Sequence, residues 1–257
     1  MPLTRKVLKT EAIVLRHFPL GEADYILALY SRQLGKINAV AKGARRVKSK
    51  MGGHVEPLMH TSFLLAEGNN DLFTVNQAEL LEGFRPIRED IERLELALHI
   101  AELMEAMTPT YQENEPLFHL LRDSLTTLSD GDHSSLMTYF RLHLLELSGF
   151  CPELYLCVEC NSKIQPTAHK FSPDRGGTLC ILCRPSRASI LPLSLNSLKV
   201  LRFLLKSKLK DIYRLQVEST DIMELDRIMS RLLEHVIGRE IKTYRFLPMN
   251  ANDSGHP

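Results

Sequence analysis

The chain has 257 residues, of which 44% are hydrophobic, and a formal net charge of +1. This length suffices for one large domain or for two to three small ones. No apolar run reaches the roughly 20 residues of a membrane span, and the N-terminus lacks a secretory signal. With its cysteines clustered rather than scattered, the chain is predicted to be cytoplasmic, with reduced thiols and no membrane partner.

Charge is distributed unevenly along the chain. Residues 1–50 carry a net +8, residues 51–160 a net −14 and residues 161–257 a net +7. Two basic ends indicate a polyanionic partner, whereas mutual neutralisation of the three regions is the alternative.

The first third of the chain, from residue 10 to residue 82, has the alternation of β-strands and no clear helical period. Turn signals such as Asn69-Asn70-Asp71 divide it into five short strands. This pattern predicts a small barrel or a strongly bent sheet. The strands are predicted at residues 10–18, 24–30, 37–43, 58–68 and 72–81.

A basic segment, AVAKGARRVKSKMGGH at residues 39–54, lies between the third and fourth predicted strands. Its three glycines predict a mobile loop. Lys and Arg side chains in such a loop displace the counterions of a nucleic-acid backbone, whereas a solvated connector is the alternative. The candidate DNA-binding residues in this part of the chain are Arg16, Lys36, Lys42, Arg45, Arg46, Lys48 and Lys50.

Aromatic residues that could stack on bases are few near this segment. Most of them are expected in the core, so electrostatic attraction should outweigh stacking. The five are Phe18, Tyr25, Tyr30, Phe63 and Phe73.

Beyond Pro86 the hydrophobic period becomes helical. Asn114 and Ser194 are predicted helix N-caps, and Gly149 is predicted to end a helix that begins near Ser134. A last amphipathic helix is predicted from residue 221, and the polar tail at 248–257 is predicted to be disordered.

A second basic face is predicted on the helix that follows Ser194. Lys199, Arg202 and Lys206 are three and four residues apart and therefore share one side of that helix. A solvated face, a DNA contact and a contact with an acidic peptide all fit this pattern.

Four cysteines have the spacing of a metal site. CVEC at 157–160 and CILC at 180–183 form two C-x2-C pairs separated by nineteen residues. Each C-x2-C pair can form a tight turn, here called a knuckle, and two knuckles complete a tetrahedron of thiolates. This pattern predicts one structural Zn²⁺ held by Cys157, Cys160, Cys180 and Cys183. Because protein supplies all four ligands, no position is left for a reacting water, so the site is expected to be structural.

Motifs of catalysis are missing from the sequence. It contains no G-x-x-x-x-G-K-[ST], G-x-S-x-G, H-E-x-x-H or G-x-G-x-x-G, and its carboxylates show no nuclease-like cluster. The chain is therefore predicted not to be an enzyme and to have no small-molecule substrate.

Taken together, these residues resemble a known family. TEAIVLRHFPLGEADYILALYSRQLGKINAVAKGARR, followed by a helical region and by CVEC…FSPDRGGTLCILC, is similar to the bacterial RecO family of DNA repair proteins. The resemblance covers about residues 8–245 and implies an α+β fold: an OB-fold barrel, then a helical domain with an inserted zinc ribbon. It places the barrel at 1–82, the helical domain at 83–150 and 188–247, and the ribbon at 151–187.

The resemblance also implies a function in DNA repair and recombination. Such a protein binds single- and double-stranded DNA, anneals complementary strands and, with RecR, assists loading of RecA onto DNA coated by single-strand-binding protein. It would lie in the bacterial cytoplasm, associated with the nucleoid. The rival interpretations are a zinc-ribbon adaptor that contacts only proteins and a metal-dependent nuclease.

Overall fold

A computed structural model describes residues 6–68, 72–131, 135–185 and 189–239. The described residues form two compact units. The first holds residues up to Ala106 together with Thr110–Glu113, and the second holds Met107–Pro109 and the residues from Asn114 onward. The tail at 248–257, predicted to be disordered, lies outside the described residues.

Five strands of the first unit close into a barrel. They are β1 (Val7–Leu20), β2 (Asp24–Ser31), β3 (Gly35–Ala41), β4 (His60–Ala66) and β5 (Leu72–Glu82). The strand order is β1-β2-β3-β5-β4, and β4 pairs with β1 to complete the closure. Each neighbouring pair is antiparallel except β3 and β5, which pair in parallel. This OB-like barrel, followed by a helical region, confirms the predicted fold class.

Side chains alternate between the two faces of each strand, and this alternation decides which of them fill the barrel and which face outward. Leu27 and Leu29 of β2 belong to the barrel core, and Ala28 between them is buried on the opposite face of the strand. On β1 a bulge between Val14 and Arg16 shifts the register with β2. From Arg16 onward the alternation resumes, with Arg16 on the outer face.

Two helices follow the barrel, α1 (Arg85–Arg88) and α2 (Ile91–Met107). After α2 the chain returns to β3, where Thr110 bridges Lys36 and the Tyr111 N–H donates to the Lys36 carbonyl at 2.9 Å. Because α2 and this returning segment are bound to the barrel strands, residues 83–106 group with the barrel. This grouping differs from the boundary at residue 82 that the resemblance implies.

The described part of the second unit is built on four helices: α3 (Glu115–Asp130), α4 (Leu136–Leu147), α5 (Leu195–Lys206) and α6 (Ser219–Ile237). Both predicted N-caps are confirmed. Asn114 Oδ1 accepts a hydrogen bond from the Leu117 N–H at 3.1 Å, and Ser194 Oγ accepts one from the Ser197 N–H at 3.0 Å. No helix within the described ranges is long and apolar enough to cross a membrane.

An ion pair formed by a buried arginine and a small sheet complete the described part of the second unit. The fully buried Arg141 of α4 donates to Asp226 of α6 at 2.6 Å, which ties the two helices together. Three short strands, β6 (His169–Ser172), β7 (Gly177–Leu179) and β8 (Leu191–Leu193), form a sheet in the order β7-β6-β8. The sheet flanks the cysteine pairs.

Replacing Gly35 with Ala should destabilise the first unit strongly. Gly35 has a φ of +64°, and an added Cβ would lie 1.9 Å from the Gln112 carbonyl oxygen. We expect Gly35→Ala to lower the free energy of unfolding by about 3 kcal/mol or more, measured by urea denaturation followed by circular dichroism. Gly21→Ala is the control, because its φ is +58° but its Cβ would meet nothing within 4 Å. It should cost only about 1 kcal/mol, and equal losses would contradict the steric argument.

Candidate metal centre and nucleic-acid interface

The structure brings the four predicted cysteine ligands together. The Sγ atoms of Cys157, Cys160, Cys180 and Cys183 all lie within 4.8 Å of one another, and those of Cys160 and Cys180 are 3.9 Å apart. Tetrahedral zinc with Zn–S bonds of about 2.3 Å requires sulfur atoms about 3.8 Å apart. The cluster can therefore hold a metal ion, and its donor set fits Zn²⁺.

Backbone geometry holds the two knuckles against each other. In the first knuckle the Cys157 N–H donates to the Ser162 carbonyl at 2.8 Å, and Asn161 adopts the left-handed conformation with a φ of +57°. The second knuckle follows β7 directly, and the Cys180 N–H points at the Cys157 sulfur at 3.3 Å. At Gly177 a Cβ would lie 2.6 Å from the Glu153 carbonyl oxygen, so this close approach requires glycine.

Hydrogen bonds around the cluster favour thiolate at Cys160. The hydrogen bond with the Ser162 side chain, with Oγ 3.1 Å from the sulfur, lowers the pKa of Cys160 to about 6. The hydrogen bond with the Cys160 side chain in turn raises the pKa of Cys183, because one proton is shared among neighbouring sulfurs. A thiolate is the form that ligates metal.

Two residues that lie near the four cysteines in sequence are not among the metal ligands. The Nε2 atom of buried His169 lies 2.8 Å from the Gln165 carbonyl oxygen and is thereby engaged with the backbone. Cys151, the fifth cysteine, is exposed and lies outside the cluster.

Removing one thiolate should release the metal and loosen the second unit. We expect Cys157→Ser to reduce bound zinc from one per chain to well below one, measured by atomic absorption on purified protein. The melting temperature should fall by about 5 °C or more, because metal binding contributes to folding. Cys151→Ser is the matched control and should retain both properties, while full zinc content in Cys157→Ser would refute the ligand assignment.

The basic segment between β3 and β4, which the sequence predicts to be a mobile loop, forms a series of hydrogen-bonded turns attached to the barrel. Its backbone forms successive turns, with the Arg46 N–H donating to the Gly43 carbonyl at 3.1 Å and the Ser49 N–H to the Arg46 carbonyl at 2.8 Å. Ala44 and Val55 are buried in the barrel core. Ala44 and Val55 therefore attach the loop to the barrel core, whereas its five cations and Val47 lie at the surface.

Arg45 fastens this loop to the turn between β1 and β2. Its N–H donates to the Ala23 carbonyl at 2.9 Å and its Nη1 to the Gly21 carbonyl at 2.8 Å. The Gly43 N–H adds a bond to Asp24 Oδ1 at 2.7 Å. The predicted site residues of the loop, Lys42, Arg45, Arg46, Lys48 and Lys50, are all exposed.

Arg16 and Lys36 are engaged with the end of α2. Arg16 Nη2 pairs with a Glu105 carboxylate oxygen at 2.5 Å, and Lys36 Nζ donates to the Glu105 backbone carbonyl at 2.7 Å. Partial burial lowers the pKa of Lys36, against the opposing effect of the Glu105 carboxylate. Both cations thus hold α2 on the barrel, a tertiary role that sequence reasoning missed.

The second predicted basic face lies on α5, and its members differ in their contacts. Lys199 is exposed. Arg202 donates from Nε and Nη2 to the Leu154 carbonyl at 3.0 and 2.6 Å, and its guanidinium lies 4.7 Å from the Tyr155 ring centre. Lys206 lies 5.1 Å from the same ring. Arg202 therefore anchors the segment that leads into the first knuckle.

Substituting Arg202 should weaken this anchor, whereas substituting Lys199 should not. We expect Arg202→Gln to lower the free energy of unfolding by about 2 kcal/mol, because the partly buried Leu154 carbonyl loses a charged donor. Lys199→Gln, on the same helix face, should change it by less than about 0.5 kcal/mol. Equal effects in thermal unfolding would assign both residues to a solvated surface.

Among the five aromatic residues near the basic segment, three belong to the core as predicted. Tyr30, Phe63 and Phe73 are buried, and Tyr25 is half-buried, whereas Phe18 is 42% exposed on the outer face of β1. Sequence reasoning did not separate Phe18 from the others. The signal that could have found it is the alternation that begins at Arg16, since Arg16, Phe18 and Leu20 share one face.

Comparison with known proteins places the chain in a family. Residues 5–84 match the family described as Recombination protein O N terminal, and residues 88–245 match the family described as Recombination protein O C terminal. The chain belongs to the RecO family of DNA repair proteins. The predicted resemblance is thus confirmed.

Relatives cover nearly the whole chain. The DNA repair protein RecO of Dehalococcoides mccartyi is 35% identical over 240 residues, 93% of this chain and 94% of that protein. Those of Pelotomaculum thermopropionicum and a Roseiflexus species are 38% and 34% identical, each over 94% of this chain and over 94% and 85% of the relative.

Proposed function

We propose that this RecO-family protein binds single- and double-stranded DNA through the basic loop and anneals complementary strands. The observation that carries the proposal is the position of the loop: Ala44 and Val55 anchor it in the barrel core, and five cations lie at the surface, namely Lys42, Arg45, Arg46, Lys48 and Lys50. A fixed cluster of cations attracts phosphate without reading sequence.

Annealing follows from charge neutralisation. Two strands repel each other through their phosphates, and the loop cations lower that repulsion while the bases search for partners. Exposed Lys and Arg hold phosphate loosely enough for strands to slide. No bond is made or broken, so the proposal needs no catalytic residue and no small-molecule substrate.

The family supports the partner part of the proposal. The protein would act with RecR to load RecA onto DNA coated by single-strand-binding protein, in the bacterial cytoplasm at the nucleoid. Of the ten predicted DNA-binding residues, the strongest candidates are four exposed cations of the loop, Lys42, Arg46, Lys48 and Lys50. Weaker candidates are the cations engaged in an intramolecular contact, namely Arg16, Lys36, Arg45 and Arg202.

One structural Zn²⁺ on the four cysteines is part of the proposal. Cys157, Cys160, Cys180 and Cys183 would hold it, and the ion would supply cross-linking of the two knuckles rather than chemistry on DNA. The chain between the knuckles would then be ordered chiefly by metal and by the β6–β7 pairing.

Removing the charge of four loop cations should weaken DNA binding irrespective of sequence. We expect the quadruple variant Lys42→Gln, Arg46→Gln, Lys48→Gln, Lys50→Gln to flatten the salt dependence of single-strand binding by about 3 in log K against log salt, at roughly 0.7 per phosphate. Annealing of complementary strands should slow in parallel. Arg45 is left intact because it fastens the loop to the β1–β2 turn.

The control replaces four exposed cations outside these faces by glutamine: Lys163, Lys210, Arg214 and Arg227. It removes the same charge from the chain, so it separates the effect of the loop from that of net charge. An equal salt slope in both quadruple variants would discard the loop assignment. Wild-type protein that binds no oligonucleotide in dilute buffer would instead favour a protein-only adaptor.

A further inference from the structure

We propose that Phe18, with the Arg16 guanidinium over its ring, is a stacking site for an unpaired base of single-stranded DNA. This inference rests on the proposed function, since it assumes that the basic loop binds the phosphates. It adds a ligand group, the face of a nucleobase, that the loop cations do not recognise.

The register of β1 and β2 places Phe18 on the outside of the barrel. Phe18 lies opposite Ile26, whereas its neighbour His17 lies opposite Leu27, which belongs to the core. Because successive residues of a strand point to opposite faces, Phe18 points away from the core. Its 42% exposure is the largest among the Phe and Tyr residues of the five strands.

The half-buried aromatic residue of this hairpin, Tyr25, is already covered. Its ring stacks on that of His17 with centres 4.0 Å apart and an angle of 6° between the planes. The Arg45 guanidinium lies 5.8 Å from the Tyr25 ring centre. A base that approaches the β1–β2 hairpin therefore meets an accessible aromatic surface at Phe18 rather than at Tyr25.

Arg16 packs on the Phe18 ring, and the two side chains together form a stacking platform of fixed orientation. Its guanidinium carbon lies 4.4 Å from the ring centre, and its ion pair with Glu105 fixes its direction. Since Glu105 already compensates its charge, Arg16 adds a planar surface rather than a free cation. Aromatic and guanidinium planes both stack on bases of any sequence.

The platform adjoins the phosphate-binding loop. From Phe18 the strand runs three residues to Gly21, about 10 Å, and the Gly21 carbonyl accepts the hydrogen bond from Arg45. That separation equals the length of about three stacked nucleotides at 3.4 Å each. One strand can thus place its phosphates on the loop and a nearby base on Phe18.

The consequence is a preference for unpaired bases. A base in a duplex is stacked on both sides and does not reach Phe18, so pairing removes this contact. Stacking therefore favours each single strand before annealing and favours release of the duplex after it.

Abasic oligonucleotides test the stacking directly. We expect Phe18→Leu to bind a thymidine oligomer about five- to tenfold more weakly than wild type, by fluorescence anisotropy. Both proteins should bind the same oligomer with abasic positions equally well. The loss should be constant across salt concentrations, because no charge is removed, and duplex affinity should stay unchanged. Phe150→Leu replaces a phenylalanine of the second unit that is at least as exposed as Phe18; it is the control and should match wild type.

A fluorescent variant covers the case in which leucine disturbs the hairpin. The chain contains no tryptophan, so Phe18→Trp introduces a single reporter. Stacking should quench its fluorescence on binding of the thymidine oligomer, but not of the abasic oligomer, and Phe150→Trp should stay unquenched. Binding by Phe18→Trp without quenching, or equal losses for intact and abasic oligomers in Phe18→Leu, overturns the stacking site alone. Failure of wild type to bind either oligomer overturns the proposed function as well.

Discussion

The attachment of the basic loop to the β1–β2 turn is the constraint on which the candidate interface depends. Three bonds from Gly43 and Arg45 to that turn, together with buried Ala44 and Val55, fix a segment that its glycines would otherwise leave free. Because Ala44 and Val55 hold the loop on the barrel, its cations lie close together at the surface. In the proposed function, this local charge density, rather than the net charge of +1, decides how the surface meets a polyanion.

The two units are held by different physical means. The barrel closes on an apolar core and on the backbone pairing of its five strands, without a metal ligand set. The cysteine region has short strands and two knuckles, and it depends on sulfur ligands, on Gly177 and on the Arg202 anchor. The proposed metal would stabilise a scaffold there, which agrees with a ligand set that leaves no coordination position open.

Local signals could be read from the sequence, and tertiary ones could not. The five strands, the caps Asn114 and Ser194 and the cysteine spacing each depend on neighbours along the chain, and the structure bears them out. Two features depend on segments that are distant along the chain: the attachment of the loop to the barrel and the hydrogen bond from Lys36 to the Glu105 carbonyl. The exposure of Phe18 depends on the bulge in β1. No period or composition encodes such contacts.

The parallel pairing of β3 with β5 has a consequence for local opening of the barrel. Within the described residues, β3 and β5 are joined by three residue pairs, Asn38–Leu72, Ala39–Phe73 and Val40–Thr74, whereas β1 and β2 are joined by eight. Hydrogen exchange of native protein should therefore begin at the short seam, with the long hairpin protected longest. A barrel that opens there keeps the opposite wall rigid, so thermal fluctuation leaves the hairpin surface intact.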